Sequence, residues 1–241
     1  MPSLTLIRSL LRLVLLLIIC PTVYASAHPD TSKQFLKEHG IPITIQGLTG
    51  ALRNADPEIR GIAAQTLANE KMTEAAPMVA DAVRNEKDLD LRVNLAYALA
   101  QLGDSEGFAF LRQFCNTDPV RPRIKAAGYL LEKGDESCWV AIEGVLESDE
   151  KTSGFIVQAL SLVPGFRKIP AAEQERLFRL VISRLSDPDP FVRLTAGDVL
   201  RRLGNVNAIP ALEESIANEP DQNFRSTLQA DLDKLKSKLS R

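Results

Sequence analysis

The side chains best suited to chemistry in this sequence are two histidines, His28 and His39, three cysteines, Cys20, Cys115 and Cys138, and a set of recurring arginines. Both histidines precede residue 56, where a periodic pattern takes over. No Ser–His–acid or Cys–His pair and no histidine-rich metal site can therefore form within that pattern. The sequence has no glycine-rich phosphate loop. If the chain were cut after Ala27, His28 would become the amino terminus. Its amine and imidazole could then hold copper, with His39 completing the site. A frayed chain end rarely preorganises such a site, so both histidines read as exposed residues of an N-terminal cap, and no metal or other cofactor is expected. Many of the acids stand where helices begin. Glu173, Glu175, Glu213 and Glu214 read as solvated surface residues, because acid–base work needs a cleft that drives two carboxyl pKa values apart. No residue is expected to be catalytic. Arg60, Arg92, Arg123, Arg193 and Arg225 recur at one position beside a recurring acid, which favours a structural ladder over an anion-binding face.

The elements that carry these residues follow one template. An Asp opens each segment, an Arg follows four residues later, and an Ala/Leu-rich stretch follows the Arg. The copies are Asp56-Pro-Glu-Ile-Arg60, Asp88-Leu-Asp-Leu-Arg92, Asp118-Pro-Val-Arg-Pro-Arg123 (one residue longer), Asp149-Glu-Lys-Thr-Ser153, Asp189-Pro-Phe-Val-Arg193 and Asp221-Gln-Asn-Phe-Arg225. Ser153 replaces the fourth arginine, and the steps between copies are 32, 31, 30, 40 and 32 residues. Seven residues past the Arg position every copy has leucine: Leu67, Leu99, Leu130, Leu160, Leu200 and Leu232. Three residues past it come Ala63, Leu95, Ala126, Ile156, Ala196 and Leu228. Apolar residues at steps of three and four mark one helix face, and alternation with period two is absent. The aspartates suit N-caps, Pro57, Pro119 and Pro190 suit first turns, and Gly103, Gly134 and Gly204 suit helix ends. A second helix follows each first. Ala75-Ala-Pro-Met-Val79 through Asn85-Glu86 matches Ala208-Ile-Pro-Ala-Leu212 through Asn218-Glu219 almost position for position. A helical hairpin repeated every ~30 residues is the signature of an α-solenoid.

These anchors, with endings such as Ala98-Leu-Ala-Gln-Leu-Gly103-Asp104 and Val199-Leu-Arg-Arg-Leu-Gly204-Asn205, resemble the HEAT-repeat superfamily, specifically the short repeats of the phycobilisome-lyase type. The resemblance covers residues 56–235 and implies an all-α fold, a right-handed α-α superhelix (a HEAT/armadillo-like solenoid) with capping helices. It also implies an Asp–Arg ladder between neighbouring repeats, which Ser153 interrupts. The expected organisation is a signal peptide over 1–27, an N-terminal capping hairpin over 28–55, HEAT-like repeats over 56–220 and a C-terminal capping helix over 221–241.

Arg8 and Arg12, the apolar run Leu13–Cys20, Pro21 and the small-residue site Ala25-Ser26-Ala27 make the signal peptide, with cleavage expected after Ala27. A retained N-terminal anchor is the alternative, and a lipoprotein with Cys20 lipidated fits less well because Ile19 precedes it. Removing two arginines and no acid takes Lys+Arg from 29 to 27 against 31 acids, a net charge of −4. An acidic chain with 5% aromatic residues lacks the footprint of a nucleic-acid binder. The expected product is a periplasmic or secreted, non-catalytic scaffold with a protein or peptide partner in the envelope or outside the cell and no transmembrane segment in the mature chain. The competing reading is a lyase-like or chromophore- or ligand-binding HEAT protein, as the resemblance allows.

Two finer expectations concern the second to fourth repeats. Cys115 and Cys138, placed on stacked second helices in a 31-residue register, would lie about 12 Å apart along the axes, too far for a disulfide, so both are expected as buried thiols. The long fourth step places about eight extra residues around Val163-Pro-Gly-Phe-Arg-Lys-Ile-Pro170. That loop has two readings: a partner site with Phe166 as anchor and Arg167 and Lys168 as steering charges, or a longer turn with Phe166 and Ile169 packed inward.

Overall fold

The computed structural model describes residues 29–148 and 152–237. The signal peptide expected over 1–27 with its cleavage site, His28, the Asp149 anchor of the fourth repeat and residues 238–241 lie outside the described residues.

The described residues form thirteen α-helices and no strand. They are α1 (Pro29–Glu38), α2 (Ile45–Ala51), α3 (Pro57–Asn69), α4 (Ala76–Asn85), α5 (Leu89–Gln101), α6 (Ser105–Gln113), α7 (Val120–Glu132), α8 (Trp139–Glu147), α9 (Ser153–Leu162), α10 (Ala171–Ser183), α11 (Pro190–Leu203), α12 (Ile209–Asn218) and α13 (Gln222–Lys236). None is long and apolar enough to cross a membrane. The chain divides into two compact units, one ending at Leu130 and the other beginning at Leu131.

In the first unit α3 packs on α5, α4 rests on α5, and α6 packs against α5 within its own hairpin. α1 and α2 cover α3 at the N-terminal end. In the second unit α9, α11 and α13 stack in order, with α8 on α9, α10 on α11 and α12 on α13. The final helix, which the sequence left without an evident partner, thus packs against both α11 and α12. The periodic positions explain this stacking. The six leucines seven past the arginine position are at most 2% exposed, and the residues three past it at most 3%. At about 2 kcal/mol for each fully buried leucine, they supply the adhesion that a lone hairpin could not.

Helix starts follow the expected chemistry. Asp56, Asp88, Asp189 and Asp221 have extended backbones, and their carboxylates accept N–H bonds from the first turns of α3, α5, α11 and α13. Helix ends repeat too. Eleven residues past the arginine position Gly103, Gly134 and Gly204 take positive φ of 90°, 77° and 71°. After α3 the same register holds Lys71 at φ 55°, the one non-glycine residue with positive φ among those described. Around it Met72 N–H donates to Leu67 O at 3.0 Å, as Asp104 N–H does to Leu99 O at 3.3 Å after α5. The turn is therefore the same, and the lysine Cβ bears the steric cost that glycine avoids. Lys71→Gly should raise stability by about 1 kcal/mol, a rise in Tm of about 2–4 °C. A variant that melts at or below the parent temperature would contradict this.

Candidate functional site

The recurring arginine joins a three-part clamp. In the first repeat Arg60 donates from Nε to Glu86 Oε2 at 2.8 Å, and from Nη1 to the carbonyls of Asn54 and Ala55 at 2.8 and 3.0 Å. Glu86 Oε1 accepts the N–H of Asp88, the next N-cap, at 3.0 Å. The fifth repeat copies this. Arg193 holds Glu219 at 2.8 Å from Nε and bonds the carbonyls of Asp187 and Pro188 at 2.8 and 3.1 Å, while Glu219 Oε1 accepts from Asp221 N–H at 3.2 Å. The planar guanidinium fork suits this work, because several donors meet a carboxylate and two carbonyls at once. Both acids are buried, with side chains 7% and 1% exposed. Arg225 Nε donates to the Glu219 carbonyl at 3.0 Å, completing the series.

The acids that receive Arg60 and Arg193 are thus glutamates two residues before an N-cap, and the aspartates serve their own helix starts. Sequence reading passed over these glutamates. The available signal was Asn85-Glu86 against Asn218-Glu219, each followed two residues later by a capping aspartate.

The middle copies depart from the clamp. Where Glu86 and Glu219 stand, the second repeat has Asn116, and Arg92 lies over the Phe114 ring at 5.7 Å with its Nε buried and unbonded. Among the described residues Arg123 approaches the exposed Asp118, at 3.9 Å, while the clamp position of that repeat lies outside them. In the fourth repeat Ser153 supplies no guanidinium. Asp187, its acid position, keeps one half of the clamp, because Oδ1 accepts Asp189 N–H at 3.0 Å. Its other oxygen meets Arg184 Nη1 at 3.2 Å, and Arg184 Nη2 donates to the carbonyls of Leu146 and Ser148 at 2.6 and 3.2 Å. Arg184, at the end of the α10 hairpin arm, has taken over part of the missing arginine's work.

The takeover leaves space. An open groove of about 910 Å³ lies in the second unit, with Ser153 and Asp187 in its lining. Arg184, also in the lining, bonds Asp187 and the Leu146 and Ser148 carbonyls. Leu146, Ile156 and Leu180 form apolar parts of the lining.

The extra residues of the fourth repeat form the 3-10 turn Val163–Gly165 and the loop up to Pro170. Phe166 and Ile169 are 5% and 7% exposed, packed inward. Arg167 and Lys168 are exposed, with Arg167 Nε on the Pro164 carbonyl at 3.1 Å and Lys168 N–H on Glu136 at 2.7 Å. The loop therefore offers its two charges, while the Phe166 ring is covered. His39 is exposed, with Nδ1 2.8 Å from the Phe35 carbonyl.

The cysteines correct a sequence expectation: Cys115 and Cys138 are disulfide-bonded, not free thiols. The register estimate assumed rungs of two stacked helices. Cys115 instead sits in the 3-10 turn Phe114–Asn116 beyond α6, and Cys138 is the residue before α8. A rise-per-residue argument does not apply to either.

Two buried carboxylates have perturbed titration. Burial raises Glu143 above the ordinary range, against the pull of Arg176 at 2.9 Å. Burial likewise raises Asp231, against Arg201 at 2.9 Å, with Asp198 adding to the rise and Lys234 opposing it. Neither carboxylate lines the groove.

The sequence pattern of HEAT repeats matches residues 45–132 and 146–232. No curated protein matches the chain. Among solved structures, human deoxyhypusine hydroxylase in complex with glycerol is 16% identical, with 80% of this chain and 74% of that one covered at a TM-score of 0.41. An engineered protein is 16% identical over 80% and 96%, with a TM-score of 0.49. The complex of CpcE and CpcF of phycocyanin lyase from Nostoc sp. PCC7120 is 20% identical over 78% and 86%, with a TM-score of 0.36.

Two outcomes follow from this geometry. Arg193→Ala leaves Glu219 buried without a counter-charge and should cost about 3–5 kcal/mol in chemical unfolding. Arg92→Ala, which breaks no ion pair among the described residues, should cost about 1 kcal/mol; equal losses would refute the clamp. For Asp231 the folded pKa lies above the unfolded one, so its contribution to stability is present in acid and is lost as pH rises through the carboxylate range. Asp231→Asn should therefore show a more favourable pH slope than the parent from pH ~4 upward. Parallel unfolding curves against pH would contradict that.

Proposed function

The chain belongs to the HEAT-repeat family, and on that premise we propose that it is an exported scaffold that binds a protein or peptide and catalyses no reaction itself. The observation that carries the binding reading is the groove of the second unit, open where the repeat's own arginine is replaced by Ser153. A repeat array buries its periodic leucines for stability and leaves its variable polar positions to recognise partners. Among the described residues of the groove no nucleophile is paired with a base. Its serines stand beside capping and ion-paired carboxylates, and no histidine lines it.

Two observations support export to the periplasm or beyond. The basic, apolar and small-residue stretches of residues 1–27 follow the pattern of a secretory signal. The disulfide state of Cys115 and Cys138 agrees with an oxidising compartment, since cytosolic thiols are normally kept reduced.

Both parts are open to test. A photo-crosslinking residue at Ser183, exposed at the groove, should give a discrete adduct in cells that mass spectrometry identifies as one partner, while the same residue at exposed Lys37 should not. An absence of adducts at Ser183 would defeat the scaffold reading. Fractionation should place a chain beginning at His28 in the periplasm or medium, and recovery of an uncleaved chain in the cytosol would defeat export.

A further inference from the structure

The second repeat lacks the acid of the clamp, and a covalent bond sits one residue from the place that acid would hold. Glu86, Asp187 and Glu219 each meet an arginine and accept the N–H of the aspartate two residues on. In the second repeat that position is the exposed Asn116, and Arg92 keeps a buried Nε without a hydrogen bond. The residue beside Asn116 is Cys115, disulfide-bonded and 5% exposed. Its partner Cys138, 0% exposed, is the residue before α8. We infer that the Cys115–Cys138 disulfide is a redox-operated lock that takes the place of the missing clamp, ordering the turn Phe114–Asn116 and the start of α8 when oxidised. The inference stands apart from the scaffold reading, since neither cysteine lines the groove.

The two devices do the same work by different means. The clamp fixes a helix start by burying a charge and satisfying it completely, whereas a disulfide fixes the chain by a bond and needs no buried charge. The turn's own polar bonds are local: Thr117 donates to the Phe114 carbonyl from its N–H at 3.2 Å and from Oγ1 at 3.0 Å. No side chain caps that turn or the start of α8. Closing the lock removes two protons and two electrons from the pair. The thiolate of one cysteine attacks a donor disulfide, protein or small-molecule, and forms a mixed disulfide. The second cysteine, as its thiolate, then displaces the donor, which leaves as a dithiol. Closure precedes burial in folding. Once both residues are buried, a reductant reaches them only through local opening, so the closed lock resists mild reduction.

The test follows amide exchange in the oxidised chain, in the same chain after reduction, and in Cys115→Ala/Cys138→Ala. Thr117 N–H, bonded to the Phe114 carbonyl, and Ala141 N–H, bonded to the Cys138 carbonyl, should exchange at least about tenfold faster once the disulfide is gone. Asp221 N–H, held by the Glu219 clamp, should keep its rate. If the alanine pair fails to fold, the reduced parent carries the comparison. Asn116→Glu, examined in the reduced chain, gives Arg92 the acid that Arg60 and Arg193 have, and should recover most of the Thr117 protection. Adding Arg92→Ala should cancel that recovery. Unchanged Thr117 and Ala141 rates on reduction, an equal acceleration at Asp221, or no recovery with Asn116→Glu would overturn the lock.

Discussion

A carboxylate buried between two hairpins is the interaction on which the order of this structure most depends. Glu86 and Glu219 each touch the arginine of their own repeat with one oxygen and the first N–H of the next repeat's cap with the other. Apolar stacking brings helices together but is indifferent to small slides along the axes. The clamp fixes where the next helix begins. It is costly to bury, since both charges lose water, and only the full set of bonds offsets that loss. Removing any one member is therefore worse than never having built it.

That asymmetry accounts for how the departures are handled. Where Asn116 replaces the acid, the arginine remains and settles over Phe114, leaving no buried carboxylate behind. Where Ser153 replaces the arginine, the acid remains, and Arg184 has arrived from the adjoining second helix to keep Asp187 company. In neither repeat does an acid at that position stand buried alone. The fourth repeat differs in one respect. Its acid is met by an arginine from the hairpin's second arm, and an open groove lies beside that pair.

How much of this could be read from sequence follows the range of each interaction. The leucines and their partners three and seven past the arginine were legible because helical periodicity repeats within one segment, and they are the buried core. The capping aspartates Asp56, Asp88, Asp189 and Asp221 and the terminal glycines were legible for the same local reason. The acid of the clamp was not, because it lies 26 residues from its arginine at a helix end, where a solvated glutamate is equally expected. Phe166 on the inserted loop could be read two ways, since an apolar residue in a turn packs inward or waits for a partner, and only its burial decides. Cys115 and Cys138 defeated a helix-based estimate because neither lies on an α-helical rung.

The separation between core and clamp gives the family's usual division of labour a physical basis here. Ile156 and Leu160 are as well buried in the fourth repeat as their counterparts elsewhere, so its stacking survives the loss of the arginine. Each repeat leans only on its neighbours, and one altered polar position does not spread along the array. The apolar positions are thus held fixed by the need to bury area, while the clamp position tolerates change wherever its charge is compensated. Ser153 with Arg184 meets that condition and leaves an acid-lined opening between well-packed helices. A binding surface can arise there without loss of the fold, because the position given up was one that the core did not require.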